Sequence, residues 1–245
     1  MDKNLPIVAL DIQHQEAVRE FLSAFEGEKL NLKVGMELFY SEGAPLIKEL
    51  KASGHDIFLD LKLHDIPTTV ERAMEVLTLL EVDMLTIHAS GGVEMMKAAI
   101  RGLEAGTKKT GKKPLLVAVT QLTSTTISQL RDEQKIAVTM KESVTHYAEL
   151  AMQAGIEGVV CSPQEVSTLK ESSNNQLITV TPGIRLNKEN RHDQKRIATP
   201  FEAGEVGSDF IVVGRPITES KTPVAIYNEI RSQWEAGRAA YKERN

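Results

Sequence analysis

The chain has 245 residues, 41% of them hydrophobic and 26% charged, with a formal net charge of −5. That length suits one large domain or two small ones, and the apolar share is enough for a substantial core. Net negative charge argues against broad contact with a nucleic-acid backbone, although a local basic patch can still hold one phosphate.

Short apolar or β-branched runs recur at residues 5–10, 32–35, 57–63, 84–88, 115–119, 158–161, 177–180 and 210–213. Each is followed by a helix-like segment. Between residues 68 and 80, for example, Val70, Met74, Leu77 and Leu80 repeat at helical spacing. Strand–helix alternation predicts a parallel sheet with right-handed crossovers. Eight such units predict an α/β fold, a single (β/α)8 TIM barrel over residues 1–245, with 235–245 a charged C-terminal tail. A doubly wound open sheet would announce a nucleotide site with a glycine-rich turn after its first strand. Here that strand runs into Leu10-Asp11-Ile12-Gln13, without glycine.

Two further readings come from the chain as a whole. Its one cysteine, Cys161, lies in the apolar run Gly158-Val159-Val160-Cys161-Ser162, so it excludes an intrachain disulfide and reads as a small buried hydrophobe. No apolar stretch is long enough to span a bilayer, and the N-terminus lacks the apolar core of a secretory signal. The expectation is a cytoplasmic protein without membrane association.

Active sites of such barrels sit at the C-terminal mouth of the strands, so the strand endings carry the functional signal. The first ends at Asp11, the second carries Lys33, and the third closes in Asp60-Leu61-Lys62-Leu63-His64-Asp65. Period-two alternation puts Asp60 and Lys62 on one side, with Asp65 past the strand end. Acids and a lysine at the end of a buried strand are costly unless paired or reactive. The bland reading is a structural ion pair, and position at the mouth favours proton or charge transfer instead.

The fourth strand ends at His88, which reads as a hydrogen-bonded structural histidine. The fifth leads into the hydroxyl-rich loop 120–128, whose hydroxyls read either as contacts to the amide edges of a planar ring, with Thr123 the candidate, or as partners of the turn backbone. The seventh leads into Pro182-Gly183-Ile184-Arg185 and a long loop to about residue 199, carrying Lys188, Arg191, Gln194, Lys195 and Arg196. A basic loop there reads as a lid over a phosphate-bearing substrate. Gly214-Arg215, after the eighth strand, offers close backbone approach and a fork of donors for phosphate. No His, Cys, Asp and Glu set has metal-ligand spacing.

The stretch Asp60-Leu61-Lys62-Leu63-His64-Asp65-Ile66-Pro67-Thr68-Thr69 resembles the signature of the orotidine 5'-phosphate decarboxylases. Leu10-Asp11, Leu32-Lys33-Val34-Gly35-Met36-Glu37, Val119 to Ser124, Thr181 to Arg185 and Val212 to Arg215 stand in the order that family shows. The resemblance covers essentially the whole chain. It implies a lyase that converts orotidine 5'-monophosphate to UMP and CO2, the last step of de novo pyrimidine synthesis, without cofactor or metal.

Carried onto this chain, the resemblance implies a charged tetrad of Lys33, Asp60, Lys62 and Asp65, with Lys62 the proton donor to C6. Asp65 would reach the neighbouring subunit's site, making the working unit a homodimer. Asp11 and Lys33 would contact the ribose, Thr123 the pyrimidine, and Gln194 both ring and phosphate. Gly214 and Arg215 would hold the phosphate, Arg185 would anchor the lid, and Thr69 and Pro182 would complete the substrate contacts. Two other readings remain. A sister sugar-phosphate branch of the same barrel holds Mg2+ and, by the resemblance, places a carboxylate where this chain has Lys33. A catalytically silent nucleotide-binding barrel would not require the intact Asp60-Lys62-Asp65 cluster.

Overall fold

The structure, a computed structural model, describes residues 1–186 and 196–244. Eight parallel strands pair in chain order and close into a barrel: β1 (Ile7–Ala9), β2 (Asn31–Gly35), β3 (Asp56–Leu63), β4 (Met84–His88), β5 (Leu115–Val119), β6 (Gly158–Val160), β7 (Ile178–Thr181) and β8 (Phe210–Val213). Closure places Ile7 opposite Val212 and Val8 opposite Val213. The helices that follow the strands are α1 (Gln15–Ser23), α2 (Met36–Ala52), α3 (Pro67–Thr78), α4 (Gly92–Thr110), α5 (Met140–Ala154), α6 (Val166–Ser172) and α7 (Pro200–Glu205), with α8 (Arg215–Thr218) and α9 (Pro223–Arg244) after the last strand.

Strands buried on both faces explain the near-continuous apolar runs. Alternation divides each run between two cores. Ile7, Ala9, Phe58, Met84, Val117 and Phe210 pack together inside the barrel. Their neighbours Val8, Ile57, Leu59, Leu85, Ala118 and Ile211 join the larger layer under the helices. Above the inner core the same inward positions turn polar, and that change of residue type makes the mouth.

The expected C-terminal tail is corrected by the structure: residues 235–244 continue α9. Tyr227, Ile230, Trp234 and Gly237 form the buried stripe of that helix. A Cβ at Gly237 would come 2.1 Å from the Phe201 carbonyl oxygen, so α7 and α9 touch backbone to backbone there. The charged residues occupy the outer face, which hides the helical period once the large apolar residues thin to Tyr241 alone after Trp234.

The N-terminal end of the barrel is closed by carboxylates. Asp83, just before β4, accepts the Ile57 N–H of β3 at 2.7 Å and pairs with Lys51 and Lys112, each at 2.7 Å. Asp209, before β8, repeats the device with the Thr179 N–H of β7 at 2.8 Å and Lys170 at 2.6 Å. Burial alone would raise the Asp83 carboxyl, but hydrogen bonds from Lys112, Lys51 and the Ile57 amide outweigh it and hold it below the ordinary value. A carboxyl lowered by folding stabilises the native state fully above its unfolded value, near about 4, and loses that contribution as pH falls through the folded value. Asp83→Asn is therefore expected to lower the melting temperature at pH 7 and to flatten its decline on acidification. An unchanged acid limb in thermal melts from pH 7 to 3 would remove Asp83 from that role.

Candidate active site

Adjacent strands β1, β2 and β3 deliver Asp11, Lys33, Asp60 and Lys62 to one side of the mouth. Lys33 Nζ stands 3.4 Å from Asp11 Oδ1 and 3.6 Å from Asp60 Oδ2, and Lys62 Nζ donates to the same Asp60 oxygen at 2.8 Å. The four charges form one continuous chain of alternating sign. Asp60 is buried, and burial by itself would raise its carboxyl. The charges of Lys33 and Lys62, with hydrogen bonds from Lys62 and Thr86, outweigh that penalty and keep it ionised. The pair Asp60–Lys62 is thus part of a four-charge chain across three strands at the mouth, beyond a cap on one strand.

Lys62 sits at a distortion of β3. Pairing with β4 shifts register between Leu59 and Leu63, and Lys62 adopts φ of 52°, a left-handed conformation rare for a lysine. Such backbone costs on the order of 1–3 kcal/mol and persists where surrounding contacts impose it. Bulges of this kind re-aim side chains beside active sites.

An open cleft of about 460 Å³ joins this cluster to the far rim. That volume accommodates a nucleotide-sized ligand. Thr123 lines it on the β5 side, Pro182 and Arg185 on the β7 side, and Gly214 and Arg215 beyond β8. A Cβ at Gly214 would lie 3.1 Å from Asp11 Oδ2, so the glycine keeps the floor open between the Arg215 end and the charged chain. Arg185 is buried, and one of its terminal nitrogens donates to the Ile184 carbonyl at 2.8 Å. Half of the six hydroxyls in the 120–128 loop serve the fold: Thr120 donates to the Val160 carbonyl at 3.0 Å, Thr126 exchanges hydrogen bonds with Gln129, and Ser128 donates to Asp132 at 3.0 Å.

Two predicted site residues are not brought to the cleft within one chain. Asp65 is exposed just before α3, where its Oδ1 accepts the Ile66 N–H at 2.6 Å, and Thr69 is exposed on the first turn of α3. Gln194, with Lys188, Arg191 and Lys195, lies outside the described residues. Arg196, read as part of the basic loop, has a different use. It pairs with buried Glu165 and donates to the Leu122 carbonyl at 2.8 Å. The returning chain places it there because Ile184 and Ala198 bridge the base of the loop. Burial pushes the Glu165 carboxyl up, against the opposing charge of Arg196.

His88, expected to be hydrogen-bonded, instead packs on His64 with ring centroids 5.6 Å apart, and burial lowers its ring below the ordinary value. Cys161 is buried with its thiol pushed well up by burial, an inert packing residue. Sequence reasoning gave no site role to Gln121, placed at the end of the fifth strand, and passed over Glu219, which also lines the cleft, and Thr86, which donates to Asp60 Oδ1 at 3.1 Å. The signal for Thr86 was a polar residue at an inward position of an otherwise apolar strand. Among the described residues no helix is long and apolar enough to cross a membrane, and no three His, Cys, Asp or Glu side chains converge as metal ligands.

A closed parallel barrel with an acid–lysine chain on one side of its mouth and Arg215 on the other defines a (β/α)8 enzyme. The family described as Orotidine 5'-phosphate decarboxylase / HUMPS matches residues 4–230, and the chain belongs to it. It is 52% identical to an orotidine 5'-phosphate decarboxylase of Lactococcus lactis subsp. cremoris over 235 residues, covering 96% of this chain and 99% of the relative. A Bacillus mycoides enzyme of the same name is 53% identical over 229 residues, covering 94% of this chain and 96% of that one. The crystal structure of the Lactobacillus acidophilus orotidine 5'-phosphate decarboxylase superposes with a TM-score of 0.85 at 44% identity, covering 95% of this chain and 99% of that one.

The charge balance around Asp60 is open to direct measurement. Its carboxyl is expected to titrate below the ordinary aspartate range, and Lys62→Met is expected to move it upward. Carboxylate carbon shifts followed through an acid titration check this; an Asp60 value unmoved by the substitution would show that Lys62 does not hold it.

Proposed function

We propose that this chain decarboxylates orotidine 5'-monophosphate to UMP and CO2, with Lys62 as the proton donor. Membership of the family at about half identity to curated decarboxylases over nearly the full chain supports the activity. The observation that carries the mechanism is Asp60, ionised and shared by Lys33 and Lys62 at one end of a cleft whose other end presents Gly214 and Arg215.

Loss of CO2 from C6 leaves an electron pair with little resonance relief. Preorganised positive charge must therefore stabilise it. In the proposed reaction the C6–carboxylate bond breaks, its electrons stay on C6, and the Lys62 ammonium delivers a proton to that carbon. Neutral Lys62 then takes a proton from water. Asp60 orients Lys62 and, being ionised, disfavours a second carboxylate held beside it, so departure of CO2 relieves that repulsion. Asp11 and Lys33 hold the ribose, Thr123 meets the pyrimidine edge, and Arg215 with the Gly214 backbone grips the phosphate. Arg185, Pro182 and Gln194 complete the contacts, with Thr69 supplied, like Asp65, from the partner chain. Binding energy from the phosphate end can then be used to organise the charged end. The Mg2+-dependent sister reading fits these residues poorly, because Lys33 Nζ stands 3.6 Å from the Asp60 oxygen that a divalent cation would compete for.

The functional unit in this reading is a homodimer in which each Asp65 completes the partner's tetrad. Support comes from its exposure at the mouth beside Ile66, 67% exposed, with Met36 and Tyr40 of α2 also presenting 45% and 71% of their surface. Apolar groups of this size at a rim are suited to cover by another chain.

Incubation with orotidine 5'-monophosphate and excess EDTA tests the activity, with UMP identified by chromatography. Full conversion is expected, and Lys62→Ala is expected to lose at least about a thousandfold in kcat while keeping its fold. No conversion, with activity on a sugar phosphate once Mg2+ is restored, would move the chain to the sister branch. Mixing Asp65→Ala chains with Lys62→Ala chains is expected to restore activity, since half the mixed dimers' sites carry both intact residues. Demonstrated heterodimers without recovery would refute the shared site.

A further inference from the structure

Thr86 stands behind the charged chain, 1% exposed and away from the cleft lining. Its surroundings are unusual. β3 and β4 pair in register at Phe58–Met84 and Leu59–Leu85, and the next pair is Leu63–Ile87. Between those pairs β3 advances from Leu59 to Leu63 while β4 advances only from Leu85 to Ile87, so Asp60, Leu61 and Lys62 all face Thr86. A bulge of this kind leaves backbone groups without ladder partners. The Lys62 N–H finds its acceptor in Thr86 Oγ1 at 2.8 Å. The same hydroxyl donates its proton to Asp60 Oδ1 at 3.1 Å, while Asp60 Oδ2 accepts from Lys62 Nζ at 2.8 Å. The contacts close a ring: hydroxyl to carboxylate, carboxylate to ammonium, and the lysine's own backbone back to the hydroxyl.

We propose that Thr86 is the positioning residue of the decarboxylation site, its hydroxyl fixing both the left-handed backbone of Lys62 and the rotation of the Asp60 carboxylate so that the ammonium is aimed at C6. The proposal rests on the reading of Lys62 as proton donor. The role needs a group that accepts and donates at once from a buried, short side chain. Serine meets that requirement. Valine, of nearly the same shape, meets neither half, and it also leaves the Lys62 amide and one Asp60 oxygen without their partner.

Thr86→Val and Thr86→Ser are compared with the unaltered protein for turnover of orotidine 5'-monophosphate and for UMP affinity. Misplacing a reacting group by about 1 Å costs roughly a hundredfold, so Thr86→Val is expected to lose about thirtyfold or more in kcat. Its UMP affinity is expected to stay within about threefold, because the phosphate grip lies across the cleft, and Thr86→Ser is expected to keep kcat within about threefold. Valine at full kcat, serine as slow as valine, or a loss confined to KM would overturn the proposal while leaving the decarboxylase reading intact. An unaltered protein that makes no UMP would bring down both. Should Thr86→Val fail to fold, hydrogen exchange at the Lys62 amide of the unaltered protein decides: strong protection supports the proposal, and exchange at the rate of an open peptide overturns it.

Discussion

The buried carboxylate of Asp60 is the constraint on which the mouth of this barrel depends. An ion removed from water is tolerable only with close opposite charge and satisfied oxygens. Asp60 has both, through Lys62 and Lys33 on one oxygen and Thr86 on the other. The dependence runs in both directions: without Asp60, two ammonium groups would lose their shared counter-charge at the rim and the Thr86 hydroxyl would lose its acceptor. Lys33 passes the balance on to Asp11, so three consecutive strands are electrostatically joined where a ligand would enter.

The two ends of the barrel use the same residue types for opposite ends. At the bottom, Asp83 pairs with two lysines and Asp209 with one, and each accepts the amide of an adjacent strand's second residue. At the mouth, Asp60 takes side-chain donors but no backbone amide, and Lys62 remains a quarter exposed with its ammonium toward the cleft. A lysine so placed can carry charge to a substrate. The loop after β7 is tied down at its return by Arg196, which reaches Glu165 and the Leu122 carbonyl beside Thr123. The loops that carry Thr123 and Arg185 therefore share one anchor.

Much of this was legible in residue order. Strands buried on both faces leave unbroken apolar runs, helices leave three-and-four spacing, and eight repeats of the pair point to a closed barrel. Polar residues at the C-terminal ends of those runs marked the mouth, and Asp11, Lys33, Asp60, Lys62, Thr123, Pro182, Arg185, Gly214 and Arg215 do line one cleft. What escaped the sequence were features with no local signature. The end of α9 looked like a charged tail because glycine at position 237 does the burying. Arg196 looked like a lid charge because Glu165, its partner, lies 31 positions away.

The sequence by itself determined the barrel, its direction and the identity of the charged groups at its mouth, because burial and alternation are written into each strand separately. Only the tertiary structure decided how those groups meet. The register shift between β3 and β4, the left-handed Lys62 and the Thr86 hydroxyl that binds them arise from pairing between strands. Pairing register depends on the neighbour as much as on the strand, and no single stretch of chain encodes it.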